Sequence, residues 1–232
     1  MSGVPILSIL IAIPLLAGIV ALFLSANGAR WLALIATLAA LALGIVLWGA
    51  YDPNGPQWQF VEHAGIGAGM SWALGIDGIA LMLIMLTLFL MPICIGASWR
   101  AIDSRVPEYM AAFLLMEALM LGVFTAQDLL LFYIFFEGGL IPMYLIIGIW
   151  GGPERIKASY KFFLYTLAGS VLMLIAMLVM IGKAGTSSIP LLMQYDFAPG
   201  LQWWLWLAFF ASFAVKMPMM RYIGMRPPSK KM

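Results

Sequence analysis

Two residue types that build most redox centres are nearly absent from this 232-residue chain, which has one cysteine, Cys94, and one histidine, His63. A lone cysteine excludes an intrachain disulfide, and together the two supply no recognisable ligand set for iron–sulfur, haem or zinc. No metal or redox centre is therefore expected in this chain, and any redox chemistry happens elsewhere. Charge is scarce too. Charged residues are 9% of the chain, against about 25% in soluble domains. A formal net charge of +2, spread over dispersed basic residues, leaves no electrostatic footprint for nucleic acid. What remains is apolar: 64% of residues are hydrophobic and the mean hydropathy is +1.03. The expected class is an all-α integral membrane protein.

Apolar windows of about 19 residues predict seven spans, at 6–24, 31–48, 79–97, 109–126, 129–150, 162–181 and 201–220. Pro14, Pro92, Pro142 and Pro218 fall inside spans and do not demote them, because neighbouring helices satisfy the backbone groups that a proline frees in lipid. The first span lacks a basic leader and is longer than a usual signal-peptide core, so a spanning helix is the better reading.

Arg30, Arg100, Arg105, Arg155, Lys157, Arg221, Arg226, Lys230 and Lys231 fall on one set of alternating connections, and only Lys183 on the other. The basic set marks the cytoplasmic side, with Met1 outside and Met232 inside. The 49–78 connection is then the long outer loop, polar and without an enzyme motif. Trp203, Trp204 and Trp206 read as interface anchors, and Asp77 and Asp128, each just before an apolar run, as helix N-caps.

Three ionisable residues lie within spans, Glu117, Glu137 and Lys216, with Lys161 at a membrane edge. A charge at the centre of a spanning helix costs about 2.5–3.5 kcal/mol on insertion scales, so each marks a candidate ion or proton path. Glu137 lies roughly 12 Å in from the outer end of its helix, too deep to snorkel. Helical spacing stacks Tyr133, Glu137, Ile141 and Tyr144 on one side, while Gly138, Gly139 and Pro142 soften the helix and leave the Gly138 carbonyl without its usual amide partner. The competing reading is a permanently protonated acid bonded to a neighbouring helix. Lys216 has Ser212 one turn before it and Pro218 two residues after, so a helix break there would expose carbonyls for an ammonium group. The alternative is snorkelling to the cytoplasmic surface. Glu117 is either a path residue or an acid paired or neutral inside the bundle. On position alone Lys161 reads as an interfacial anchor.

The stretches DLLLFYIFFEGGLIPMYLIIGIWGG at 128–152, YKFFLYTLAGSVLMLIA at 160–176 and FFASFAVKMPM at 209–219, with GIDGIAL at 75–81, resemble the proton-pumping subunit M family of bacterial NADH:quinone oxidoreductase. Its mitochondrial counterpart is the fourth core membrane subunit of complex I. The resemblance covers about residues 1–219. A wider antiporter-like group, with subunits of multisubunit sodium/proton antiporters and membrane-bound hydrogenases, shares the glutamate and lysine.

That resemblance implies a proton half-channel formed by Glu137 on the fifth helix and Lys216 on a broken seventh, with Lys161 on or near the polar axis. It also implies about fourteen spans in two inverted repeats. Here 1–108 would hold helices 1–3 and the outer loop, 109–220 a partial first repeat, and 221–232 an aberrant basic tail. NADH, flavin, iron–sulfur clusters and quinone would be bound by partner subunits, while the chain's neighbours in the bilayer would be other membrane-arm subunits of complex I. The family pattern continues after KMPM with Trp-Pro and a His-Thr-Trp-Leu-Pro-Asp-type stretch, whereas this chain reads MRYIGMRPPSKKM. A frameshift or truncation after Met219, and an incomplete pump, are therefore expected. The alternatives are an antiporter or membrane-bound hydrogenase subunit, or a fragment without transport.

Overall fold

The computed structural model describes residues 5–67 and 70–216. Its helices are α1 (Ile6–Ala21), α2 (Ala26–Ala50), α3 (Gly78–Ser98), α4 (Val106–Thr125), α5 (Leu129–Gly138), α6 (Leu140–Trp150), α7 (Arg155–Ala184), the single turn α8 (Ile189–Leu192) and α9 (Pro199–Lys216). Five stretches are long and apolar enough to cross a membrane among the described residues: α2, α3, α4, α5 with α6 counted together, and α7. The shorter α1 and the 18-residue α9 occupy the first and seventh expected positions. The chain is a multi-pass membrane protein.

Boundaries differ from the hydropathy windows for a physical reason. Windows register the hydrocarbon-soluble centre of a helix, while caps and interfacial residues set its ends. Ser25 caps α2, accepting from the Gly28 amide at 3.3 Å, and α2 therefore includes Arg30. In the same way α7 starts at Arg155, so Lys161 lies inside the helix instead of ahead of it. Thirty residues make about 45 Å of helix, longer than the roughly 30 Å hydrocarbon core, so α7 must tilt or project. It stops at Gly185, whose φ of 71° is the left-handed geometry that favours glycine at a helix end. Asp77 caps α3, accepting from the Ala80 amide at 2.7 Å, as expected.

α1 lies along α4, and α2 packs on α3. Lipid tails are as apolar as leucine, so packing and not water exclusion holds such helices together. Small residues at Ala29, Ala33, Ala36, Ala40 and Gly44 form the buried stripe of α2, which lets its backbone approach its neighbours. The opposite faces carry exposed Ile35, Phe89 and Ile175, as lipid-facing surfaces do.

The outer loop is not structureless. Residues Gln59–Gly67 (β1) and Met70–Ile76 (β2) form an antiparallel hairpin pairing Glu62 with Leu74 and Ala64 with Trp72. The Glu62 carboxylate accepts from the Leu7 amide at 2.6 Å, from the Ser8 amide at 3.1 Å and from the Ser8 hydroxyl. Trp72 Nε1 donates to the same hydroxyl at 2.8 Å. The hairpin thus supplies the anion that the first-turn amides of α1 need.

Candidate functional site

The span 129–150 is not one continuous helix. α5 ends at Gly138 and α6 begins at Leu140, with Gly139 between them. Gly139 keeps a helical backbone, with φ −61° and ψ −18°. Gly139 N–H donates to the Phe135 carbonyl at 3.3 Å. The next carbonyl, that of Phe136, accepts from Lys216 Nζ at 3.1 Å, and the same nitrogen stands 3.4 Å from the centre of the Phe136 ring. Pro142 has no N–H for the Gly138 carbonyl, as the sequence implies, and the break expected beside Lys216 at Pro218 lies outside the described residues. In the described residues the ammonium rests on the end of a neighbouring half-helix, where the dipole is negative and an aromatic face adds attraction. Pro142 is buried in the first turn of α6, where its missing N–H costs little. Pro218 lies outside the described residues, as does the chain from Met217 onward.

Glu137 is beside this contact. Both its carboxyl oxygens are buried without a hydrogen-bond partner, and no direct ion pair joins it to Lys216 among the described residues. Tyr133 and Ser170 flank the carboxyl, and the Ser170 hydroxyl donates to the Leu167 carbonyl at 2.9 Å. Tyr144, two turns on, packs edge-on against Phe163 of α7 at 5.5 Å. The stripe read from helical spacing thus runs along α7, except at Ile141, which is 58% exposed.

Two close approaches position these helices. A Cβ on Gly122 would stand 2.5 Å from the Phe135 ring, and one on Gly169 would stand 2.9 Å from Val215. Glycine at both places lets α4 meet α5 and α7 meet α9, the helix carrying Lys216. Ser212, one turn before Lys216, is buried, its hydroxyl oxygen unpartnered.

Glu117 is fully buried in α4, with neither oxygen bonded. It lies between the apolar cluster around Met110 and Leu114 and the one around Ala118 and Leu121. Leu119 faces Gly138 across the α4–α5 contact, so Glu117 and Glu137 sit within about 5 Å of each other in depth. Lys161 is exposed on α7, apart from this group, without a hydrogen bond or ion pair among the described residues. At the foot of α7, the Lys157 ammonium, 2.9 Å from Glu154, holds that carboxyl below the ordinary carboxylate range by hydrogen bond and charge. Trp203, Trp204 and Trp206 are exposed on the first turns of α9, and Trp203 stacks on Trp206 at 5.4 Å.

Asp128 does more than the expected N-cap. It accepts from the Leu130 and Leu131 amides at 3.0 Å each. Its second oxygen accepts from the Ser71 amide at 3.2 Å, from the Ser71 hydroxyl at 3.0 Å and from the Ser187 hydroxyl. One buried carboxylate thus ties the α5 start, the hairpin and the segment after α7 together. The apolar run after Asp128 signalled the cap, but nothing local signalled Ser71 or Ser187. Phe136 was missed as well, its role being carried by a backbone oxygen that every residue has.

Comparison with known proteins fits this geometry. Residues 7–126 match the family described as NADH-ubiquinone oxidoreductase chain 4, amino terminus, and 126–222 the family described as NADH:quinone oxidoreductase/Mrp antiporter, TM. The chain is 51% identical to NADH-quinone oxidoreductase subunit M of Rhodobacter capsulatus, over 92% of this chain and 46% of that protein. It is 46% identical to NADH-ubiquinone oxidoreductase chain 4 of Arabidopsis thaliana, over 92% and 44%. It therefore spans slightly under half the length of the curated relatives it matches. Among solved structures, a chain of respiratory complex I from Thermus thermophilus with bound NADH superposes with a TM-score of 0.78 at 31% identity, over 91% of this chain and 44% of that one. A chain of the Mrp complex from Dietzia sp. shares the fold alone, at 20% identity and the same TM-score over 90% of this chain. On identity, coverage and fold together, this chain belongs to the NADH-quinone oxidoreductase subunit M (chain 4) family.

Proposed function

We propose that these residues are the amino-terminal part of a proton-translocating membrane subunit of NADH:quinone oxidoreductase, with Glu137 and Lys216 as its proton-carrying pair. The observation that carries the reading is the Lys216 ammonium held 3.1 Å from the Phe136 carbonyl, at a helix break, next to a buried carboxyl with no hydrogen-bond partner. An ammonium seated on neutral groups is free to exchange that seat for a carboxylate. When it approaches Glu137 the ionised pair is favoured, and when it withdraws to Phe136 the acid holds a proton better. Moving the lysine therefore moves a proton. Each charge moved against the membrane potential costs about 2.3 kcal/mol per 100 mV, so redox chemistry in other subunits supplies the energy.

In this reading Tyr133, Ser170 and Ser212 offer hydroxyls to a water chain, Tyr144 extends the stripe, and Glu117 is a second buried acid at the same depth. Lys161 joins the path only if a partner helix or water connects it. Residues 109–220 form a partial first repeat. The partners in the membrane are other membrane-arm subunits, and the NADH, flavin, clusters and quinone are bound by quinone-site and peripheral redox subunits. The setting is the inner membrane of a bacterial cell, with the hairpin side outside.

The test is NADH-driven proton uptake by inverted membrane vesicles carrying this sequence within a complete subunit. Uptake without sodium, lost in Glu137→Gln, is the expected result. Sodium-dependent proton exchange without NADH would assign the chain to an antiporter instead, and unchanged uptake in the variant would remove Glu137 from the path.

A further inference from the structure

A groove of about 280 Å³ runs between α1, α4 and α6, from Arg105 and Trp150 at the arginine-rich end of the bundle to Leu15, Leu115 and Pro142 inside it. It exists because small residues line it. A Cβ on Gly18 would stand 3.3 Å from the Ala111 carbonyl oxygen, and Ala111 and Ala112 leave that flank of α4 without bulk. Ile19 and Leu22 on one rim and Leu145 on the other are 40–52% exposed, so the groove opens toward lipid.

Its dimensions select an occupant. Ten residues of α4, from Arg105 to Leu115, rise about 15 Å, half of the roughly 30 Å hydrocarbon core and so the depth of one leaflet. A groove one leaflet deep, apolar along its walls and open along its rim, suits an extended hydrocarbon chain lying in it.

The mouth supplies the other half of the recognition. Arg105 uses Nε for Glu108 at 3.2 Å, which leaves four of its five donors. Arg155 donates through Nη1 to the carbonyl of Ile149, a residue of the groove wall, at 2.9 Å. Arg105, Arg155 and Lys157 against Glu108 and Glu154 leave this end of the groove with a net positive charge suited to a phosphate. We propose that this groove holds one acyl chain of an anionic phospholipid, with its phosphate held by Arg105 and Arg155. The inference rests on the membrane placement of α1, α4 and α6 and is independent of the proton-path reading.

The test is photo-crosslinking of the full chain in phosphatidylcholine vesicles containing phosphatidylglycerol with a diazirine near the chain end, with adducts mapped by mass spectrometry. Adducts should concentrate on α1, α4 and α6 groove residues above Ile35 and Ile93, exposed apolar residues on other faces. Labelled phosphatidylglycerol should react about thirtyfold more than labelled phosphatidylcholine, the ratio expected for two basic residues near an anionic headgroup at about 1 kcal/mol each. Ala112→Trp should lower groove labelling to the level of Ile35. Arg105→Gln, which leaves the walls intact, should bring the two headgroups closer to parity. Equal labelling of groove and other faces would overturn the proposal, as would groove labelling with no headgroup preference in the unaltered chain.

Discussion

Lys216 Nζ lies 3.1 Å from the carbonyl oxygen of Phe136 and 3.4 Å from the centre of the same residue's ring, one residue before Glu137. The contact joins the last described turn of α9 to the broken end of α5, helices that sequence alone places eighty residues apart. Everything proposed for proton movement depends on this seat being occupied and vacated.

Removing the amine tests the seat directly. In a complete subunit, Lys216→Ala is expected to lower NADH-driven proton uptake by inverted vesicles by at least about tenfold, as loss of a positioned proton carrier does. Full pumping in that variant would reduce Lys216 to an anchor. Phe136→Leu keeps the carbonyl and removes the ring, so it should weaken the seat by about 0.5–2 kcal/mol. It should also speed reaction of Lys216 with a water-soluble acylating reagent, read by mass spectrometry.

Gly169 sets how closely α9 approaches α7. Gly169→Val places methyl groups where Val215 already stands, and such overpacking costs about 1–3 kcal/mol. The expected result is a lower midpoint of thermal unfolding in detergent, together with weaker pumping, because Val215 and Lys216 move as one. An unchanged midpoint would mean that the helices are not in contact there.

Asp128 links three segments through one buried carboxylate. Asp128→Ala removes an N-cap worth about 0.5–2 kcal/mol and takes away the carboxylate that the Ser71 amide and the Ser71 and Ser187 hydroxyls share. Limited proteolysis should then cut the hairpin and the segment after α7 together, and faster than in the parent. Independent cutting rates would show that the two are not coupled through Asp128.

Glu62 holds the start of α1. In Glu62→Ala the Leu7 and Ser8 amides lose their acceptor, and hydrogen exchange at those positions should quicken by about tenfold, the equivalent of 1.4 kcal/mol. Trp72 emission should change too, since the Ser8 hydroxyl bonded to its indole also loses an anchor. Unaltered exchange would leave α1 capped by solvent alone.

Much of the architecture was legible because lipid imposes a simple rule. Backbone groups must be satisfied within the segment, so each long apolar run had to be a helix, and the six expected spans through 162–181 correspond to α1–α4, the α5–α6 pair and α7. Asp77 and Asp128 were legible as caps because a cap acts on amides two or three residues away. The hairpin within the 49–78 connection carries no motif and no long apolar run, so hydropathy does not mark it. Gly138, Gly139 and Pro142 mark a soft place in the sequence, whereas the meeting of Lys216 with the Phe136 carbonyl is a matter of three-dimensional packing.

Sequence alone determined that this is a membrane protein, that its helices carry Glu117, Glu137 and Lys216 within them, and that a short set of motifs marks its family. These follow from hydropathy, which is a sum over neighbours in the chain, and from residue identity. Only the tertiary structure decided that Lys216 meets Phe136 in place of pairing directly with Glu137, that Lys161 stands apart on an exposed face of α7, and that Glu62 and Asp128 bind the hairpin to α1 and α5. Those relationships arise between atoms far apart in sequence, and they are selected by packing at Gly122 and Gly169 and by buried carboxylates that must find donors wherever the fold brings them.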